Sequence, residues 1–152
     1  MVAIAPNYYK SREYSAAGGG FGGGGGDFAG GGPDFTGQEN EPVIDLVHLS
    51  RQTLSDEALE VELLDLFDRQ SARIIAQLGE PGAGDAKIRG DLAHMLRGSA
   101  LAVGAGRVAR SAQIYEASCE AASHGPIAGA ALDVLADSVA EARATIAQLL
   151  GR

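Results

Sequence analysis

Ala93-His94-Met95-Leu96-Arg97-Gly98-Ser99-Ala100 reads as the middle of an amphipathic helix. In a helix each residue turns about 100° around the axis, so positions can be assigned to faces. Ile88, Leu92, Leu96, Ser99 and Val103 recur at steps of three and four, with Met95 at their edge. That is the stripe a helix buries against its neighbours. His94 lies roughly 160° from both Leu92 and Leu96, on the opposite side of the cylinder. Its own face carries Lys87 and Leu101, two turns away in either direction, while Gly90, Asp91, Arg97 and Gly98 fill the adjacent turns. A glycine inside a helix costs about 1 kcal/mol against alanine. An exposed imidazole with a cation at i+3 and a glycine at i+4 therefore points to a partner that approaches the backbone beside the histidine.

Working outward, the 152-residue chain has room for one modest domain and an appendage. A formal net charge of −8 argues against nucleic acid as a main partner, which would require a basic footprint. No basic surface helix is present for a membrane, and no apolar run approaches the roughly 20 residues of a span. Met1-Val2-Ala3-Ile4-Ala5-Pro6 lacks the charged start and sustained apolar core of a signal peptide. Cys119 is the single cysteine, so no internal disulfide can form, and it reads as a small buried hydrophobe. These features fit a soluble protein of the reducing cytoplasm.

Residues 1–40 differ in kind from the rest. Twelve of the 22 glycines fall here, with Tyr8, Tyr9, Tyr14, Phe21, Phe28 and Phe35 sprinkled between them. Such a segment buries too little surface to offset its backbone entropy and is expected to be a disordered tail. Its glycine run is no phosphate-binding loop, because no Gly-Lys-Ser/Thr follows and neither strand nor helix flanks it.

From Glu41 the texture becomes amphipathic helix, and residues 41–152 read as one helical domain. Leu46-Val47-His48-Leu49-Ser50 makes a short first helix after Pro42-Val43-Ile44-Asp45. Ser55 is the expected N-cap of the second, with Asp56 and Glu57 in its first turn. Leu59, Leu63, Leu66, Phe67, Ile74, Ile75 and Leu78 form its stripe, ended by Gly79-Glu80-Pro81-Gly82. Asp85 caps the third helix, which stops near Gly104-Ala105-Gly106. A fourth runs from about Arg107 to Ser123, with Val108, Ala112, Tyr115 and Cys119 on one side. His124-Gly125-Pro126 breaks the chain before a last helix carrying Ile127, Leu132, Leu135, Val139, Ile146, Leu149 and Leu150. No segment alternates as a strand would. The fold class is therefore all-α, and the short connections predict an antiparallel four-helix bundle with a short extra N-terminal helix.

Residues 43–150 resemble a histidine-containing phosphotransfer (HPt) domain of a bacterial multistep phosphorelay. The resemblance begins at Ile44-Asp45-Leu46, continues through Leu64-Asp65-Leu66-Phe67 and peaks at Leu92 to Ala100, followed by Val103-Gly104-Ala105. The family pattern is Ala-His-x-Leu-Lys-Gly-Ser-Ala and then Gly-Ala. Arg97 stands where the family has lysine and keeps its charge. Tyr115-Glu116 sits where the family usually has Leu-Glu on its fourth helix, a weaker match.

The resemblance implies that His94 accepts a phosphoryl group from an aspartyl phosphate on one receiver domain and passes it to another. An imidazole titrates near pH 6.5 in water, so at cytoplasmic pH a ring nitrogen keeps a free lone pair. Arg97 would neutralise phosphoryl charge, with Lys87 adding to that field. Gly98 would leave space for the incoming aspartyl phosphate. Gly90, Asp91 and Leu101 would join Lys87 in contacting the receiver. The chain itself needs no cofactor, and the magnesium ion of the transfer would belong to the receiver. Expected partners are the receivers of a hybrid histidine kinase and of a response regulator, engaged by a monomeric phosphocarrier rather than a turnover enzyme.

Two other readings share the exposed histidine. One is the dimerisation and histidine domain of a sensor kinase, which would need an ATP-binding domain that does not follow here. The other is a helical module that only docks a receiver. A metal-binding bundle fails for lack of Glu-x-x-His pairs. His48, among apolar neighbours, reads as a satisfied packing residue, and His124 as a helix-end residue beside terminal carbonyls. Asp56, Glu57, Glu60 and Glu62 read as a solvated helix start.

Overall fold

The computed structural model describes residues 41–82, 84–121 and 129–152. Every regular element among them is an α-helix: α1 (Leu46–Gln52), α2 (Glu57–Gly79), α3 (Ala86–Val103), α4 (Gly106–Ala121) and α5 (Gly129–Leu149). The expected disorder of residues 1–40, the break at His124-Gly125-Pro126 and the packing of Ile127 fall outside the described residues.

Three aspartates start helices. Asp45, Asp56 and Asp85 each accept from the backbone N–H three residues on, at 2.9 Å from His48, 3.1 Å from Leu59 and 3.0 Å from Ile88. Each satisfies one of the donors that a first helical turn leaves without a partner. The cap of α2 is thus Asp56 and not Ser55. Leu54 and Ser55 turn the corner from α1 in left-handed conformation, with φ of 54° and 65°, whereas a cap needs extended backbone. At the other end of α3, Gly104 adopts φ 75° and the Ala105 N–H returns to the Ala100 carbonyl at 2.8 Å.

Each long helix buries residues at alternating steps of four and three. On α2 these are Glu60, Leu64, Phe67, Ser71, Ile74 and Leu78. On α3 they are Ala93, Leu96, Ala100 and Val103. Val108, Ala112, Tyr115 and Cys119 continue the core on α4, and Leu135, Val139, Ala142 and Ile146 on α5. The two stripes read from the sequence hold in part: Phe67, Ile74 and Leu78 on α2 and Leu96 and Val103 on α3 are buried as expected, while their other members are displaced by about one position. Leu59 and Leu66 are 39% and 51% exposed, Ile88 and Met95 are both 51% exposed, and Leu63, Ile75, Leu92 and Ser99 are only partly covered. Following the large apolar residues misses a seam that includes small Ala93 and Ala100 and polar Glu60 and Ser71. Glu60 is correspondingly no solvated residue: it is fully buried and accepts a hydrogen bond from Thr53 Oγ1 at 3.2 Å.

α3 packs on α2 and α4, α5 packs on the same two helices, and α1 lies against α2 and α3. Side chains bridge these contacts: Ser99 donates to Gln70 at 2.7 Å, Ser111 and Ser138 are 2.8 Å apart, and Arg143 meets Asp68 at 2.8 Å. Exposed ion pairs contribute about 1 kcal/mol at most, so cohesion comes from the continuous buried core. No helix among the described residues is long and apolar enough to cross a membrane.

The segment before α1 closes over the α3–α4 corner. The Asp45 N–H donates to the Gly104 carbonyl at 2.9 Å, and Glu41 pairs with Arg110. A Cβ on Gly104 would lie 2.7 Å from the Asp45 carbonyl oxygen. Gly104→Ala should therefore lower stability by about 2 kcal/mol or more, combining backbone strain with that clash. Urea unfolding followed by circular dichroism measures the loss, and an unchanged midpoint would contradict this account of the corner.

Candidate functional site

α3 and α4 make the most extensive helix–helix contact of the fold. Small side chains permit it: Ala93 and Ala100 of α3 and Ala109 and Ala112 of α4 are buried along the contact, with Ala105 at the corner. His94 follows Ala93 and its side chain is 72% exposed. Across the seam, Glu116 follows the buried Tyr115 and reaches back over the groove. Its Oε1 lies 2.8 Å from His94 Nδ1. An ionised carboxylate can only accept, so Nδ1 donates, and in the neutral ring the lone pair is left on Nε2. Arg97, one turn beyond His94, donates from Nη1 to Glu116 Oε2 at 3.4 Å. One carboxylate thus holds the imidazole with one oxygen and faces a guanidinium with the other.

Gly98 is the next element of the site. A Cβ there would meet nothing within 4 Å, so the helix surface beside His94 is open for reasons other than internal packing. Lys87 and Asp91 pair with each other at 2.7 Å on the exposed surface of α3. The hydrogen bond and charge of Asp91 raise the Lys87 ammonium above its usual range. That cation is matched by Asp91 and lies two turns from His94, whereas Arg97 lies one turn away and shares Glu116 with the imidazole. Gly90 and Asp91 line a cleft of about 240 Å³ with Glu116, Cys119 and Glu120. Leu101 is 52% exposed and borders a second cleft formed with Pro42 and His48.

The structure thus joins His94 and Arg97 through Glu116, which the sequence reading did not assign to the site. A signal was present. Glu116 is a charged residue flanking the buried Tyr115 and one turn before Cys119, so it lies at the edge of the stripe that α4 turns toward α3. His48 also departs from expectation: its Nε2 is buried without a hydrogen-bond partner among the described residues. The Tyr115 hydroxyl is likewise buried without a hydrogen bond of standard geometry. Burial raises both the Tyr115 hydroxyl and the Cys119 thiol above their ordinary values. Among the described residues no group of three or more His, Cys, Asp or Glu side chains is placed to share a metal ion. Comparison of the chain with protein-family models, curated proteins and solved structures returns no match.

Two measurements follow from this geometry. Nitrogen-15 spectra of the His94 ring should show the Nδ1–H tautomer, and Glu116→Ala should return it to a mixture dominated by Nε2–H. A ring already in that mixture in the unaltered chain would remove the role of Glu116. Thiol labelling of Cys119 near neutral pH should be slow, because a raised value leaves little thiolate and the side chain is 1% exposed. Labelling should accelerate only when denaturant opens the fold.

Proposed function

We propose that residues 41–152 form an antiparallel four-helix bundle with α1 as an extra N-terminal helix, and that this domain relays phosphoryl groups through His94. Short connections between successive helices support the arrangement. The observation that carries the functional reading is an exposed imidazole oriented by a buried-edge carboxylate. Its Nδ1 is engaged by Glu116 at 2.8 Å, and Nε2 keeps the lone pair for an electrophile from solution.

In the proposed step, Nε2 of His94 attacks the phosphorus of an aspartyl phosphate on a receiver domain. The N–P bond forms as the P–O bond to the aspartate breaks, and the carboxylate departs with the electron pair. Positive charge develops on the imidazole, and Glu116 stabilises it through the Nδ1–H that it already accepts. Arg97 lies one helical turn from His94 and can turn its guanidinium toward the phosphoryl oxygens. The resulting N–P bond is energy-rich, so a second receiver can take the group by the reverse sequence. Magnesium chemistry belongs to the receiver. Gly98 keeps the approach clear, and Leu101 offers apolar contact to the docked partner. The domain acts as a monomeric cytoplasmic phosphocarrier between a hybrid kinase and a response regulator.

Transfer from a radiolabelled receiver to the protein and to His94→Gln tests the reading. Acid-labile, base-stable label on the unaltered chain alone is the expected result. An absence of label from a panel of receivers, with the fold intact, would leave only docking. Gly98→Gln should fold normally and gain about 0.5–1 kcal/mol of helix stability, since its side chain meets open space. The same variant should block transfer. Unchanged transfer would remove the steric role of this position.

A further inference from the structure

We propose that the outer face of α3 is a two-sided docking surface, and that its cleft takes a lysine or arginine side chain of the receiver seated over His94. The inference rests on the phosphotransfer reading and adds the chemistry by which the partner is oriented and chosen. On the α2 side of His94 the face is apolar. Ser99 bonds Gln70 across the α2–α3 contact at 2.7 Å, and Met95 and Leu66, each four residues before one of them, are both 51% exposed. Ile88, seven residues before Met95 and so on nearly the same side of α3, is exposed to the same degree.

On the α4 side, one turn before His94, the face opens into the cleft of about 240 Å³ lined by Lys87, Gly90, Asp91, Glu116, Cys119 and Glu120. A cavity of about 150 Å³ holds a benzene ring, and the head of an arginine side chain is no larger. Packing does not demand the opening: a Cβ on Gly90 would lie 3.6 Å from Cys119 Cβ, an ordinary contact. Three carboxylates meet one ammonium here. Lys87 is taken by Asp91, and Glu116 by His94 and Arg97. Glu120 is exposed and makes no ion pair among the described residues. The cleft thus holds an excess of negative charge, with one carboxylate left for a newcomer.

Charge decides what occupies it. An aspartyl phosphate approaching His94 is itself anionic, and like charges facing each other across an interface are strongly unfavourable. A receiver that brings its phosphoryl group to Nε2 with no cation over Glu120 is therefore disfavoured. One that carries a cation there is steered into register. The apolar edge makes no such distinction, because burial against Met95 and Ile88 is non-directional. Together the two edges fix which way round the partner sits, with an apolar ridge over Met95 and a basic side chain toward Glu120.

Titration of the full chain with N-acetylarginine amide tests the cleft without any receiver. The Gly90 and Glu120 amide resonances should move, the uncharged citrulline counterpart should leave them in place, and Glu120→Gln should abolish the response. Resonances that ignore the arginine compound, or follow both compounds alike, would overturn the cation site. The second arm uses a receiver that labels His94. Glu120→Gln should weaken its binding by about threefold to fivefold, the range of an exposed ion pair, and Glu120→Lys by more than about tenfold. Both losses should vanish near 1 M salt, where screening acts within about 3 Å, whereas the loss in Met95→Ser should persist. Full affinity in Glu120→Lys, with His94 still labelled, would overturn the inference and leave phosphotransfer standing. Label absent from every receiver would instead remove phosphotransfer and the partner with it, and the arginine titration would still judge the cleft.

Discussion

The 2.8 Å contact between His94 and Glu116 exists because the backbones of α3 and α4 lie close enough for a glutamate to span the groove. That closeness is a property of alanine. Ala93, Ala100, Ala109 and Ala112 present a single methyl each along the contact and are all buried. Any of them enlarged to leucine or valine would overpack the seam and push the helices apart, at a cost of about 1–3 kcal/mol. The separation would also lengthen the hydrogen bond that sets the tautomer of the ring. Stability and the orientation of the imidazole therefore depend on one constraint. The exposed chemistry of His94 is governed by side chains that never reach solvent.

A second constraint acts at the ends of that pair. The segment Glu41–Asp45 closes over the corner between α3 and α4, and Gly104 is small because the Asp45 backbone passes directly above it. Leu101, an exposed apolar residue near the end of α3, is brought by this closure to the rim of a cleft that Glu41, Pro42 and Asp45 help to build.

Most of the architecture was legible in the sequence. The aspartate cap of α3, the glycine that ends it and the core face of α4 all rest on local rules and agree with the structure. Exposure of His94 followed from angular arithmetic alone. What escaped was set by neighbours. Glu60 looks like any acid in a first turn until Thr53, seven residues earlier, folds back to bond it. Ile88 and Leu66 look like core until the alanine and serine positions are seen to form the seam. Ser55 is a good cap by residue type, but the corner forces it to a positive φ and gives the role to Asp56. Glu116 was visible only as a weak partner of Tyr115, because its meaning comes from a helix 22 residues away in sequence.

The corner between α1 and α2 carries a further implication. Leu54 and Ser55 are consecutive non-glycine residues in left-handed conformation, and Leu54 is 91% exposed. Each such residue costs roughly 1–2 kcal/mol, which contacts elsewhere must supply. The seven residues of α1 bury little beyond Leu49, so the hydrogen bond from Thr53 to Glu60 serves as their latch. α1 therefore carries both the strain of its exit and the latch that offsets it, and through His48 it also supplies part of the lining of the cleft at Leu101.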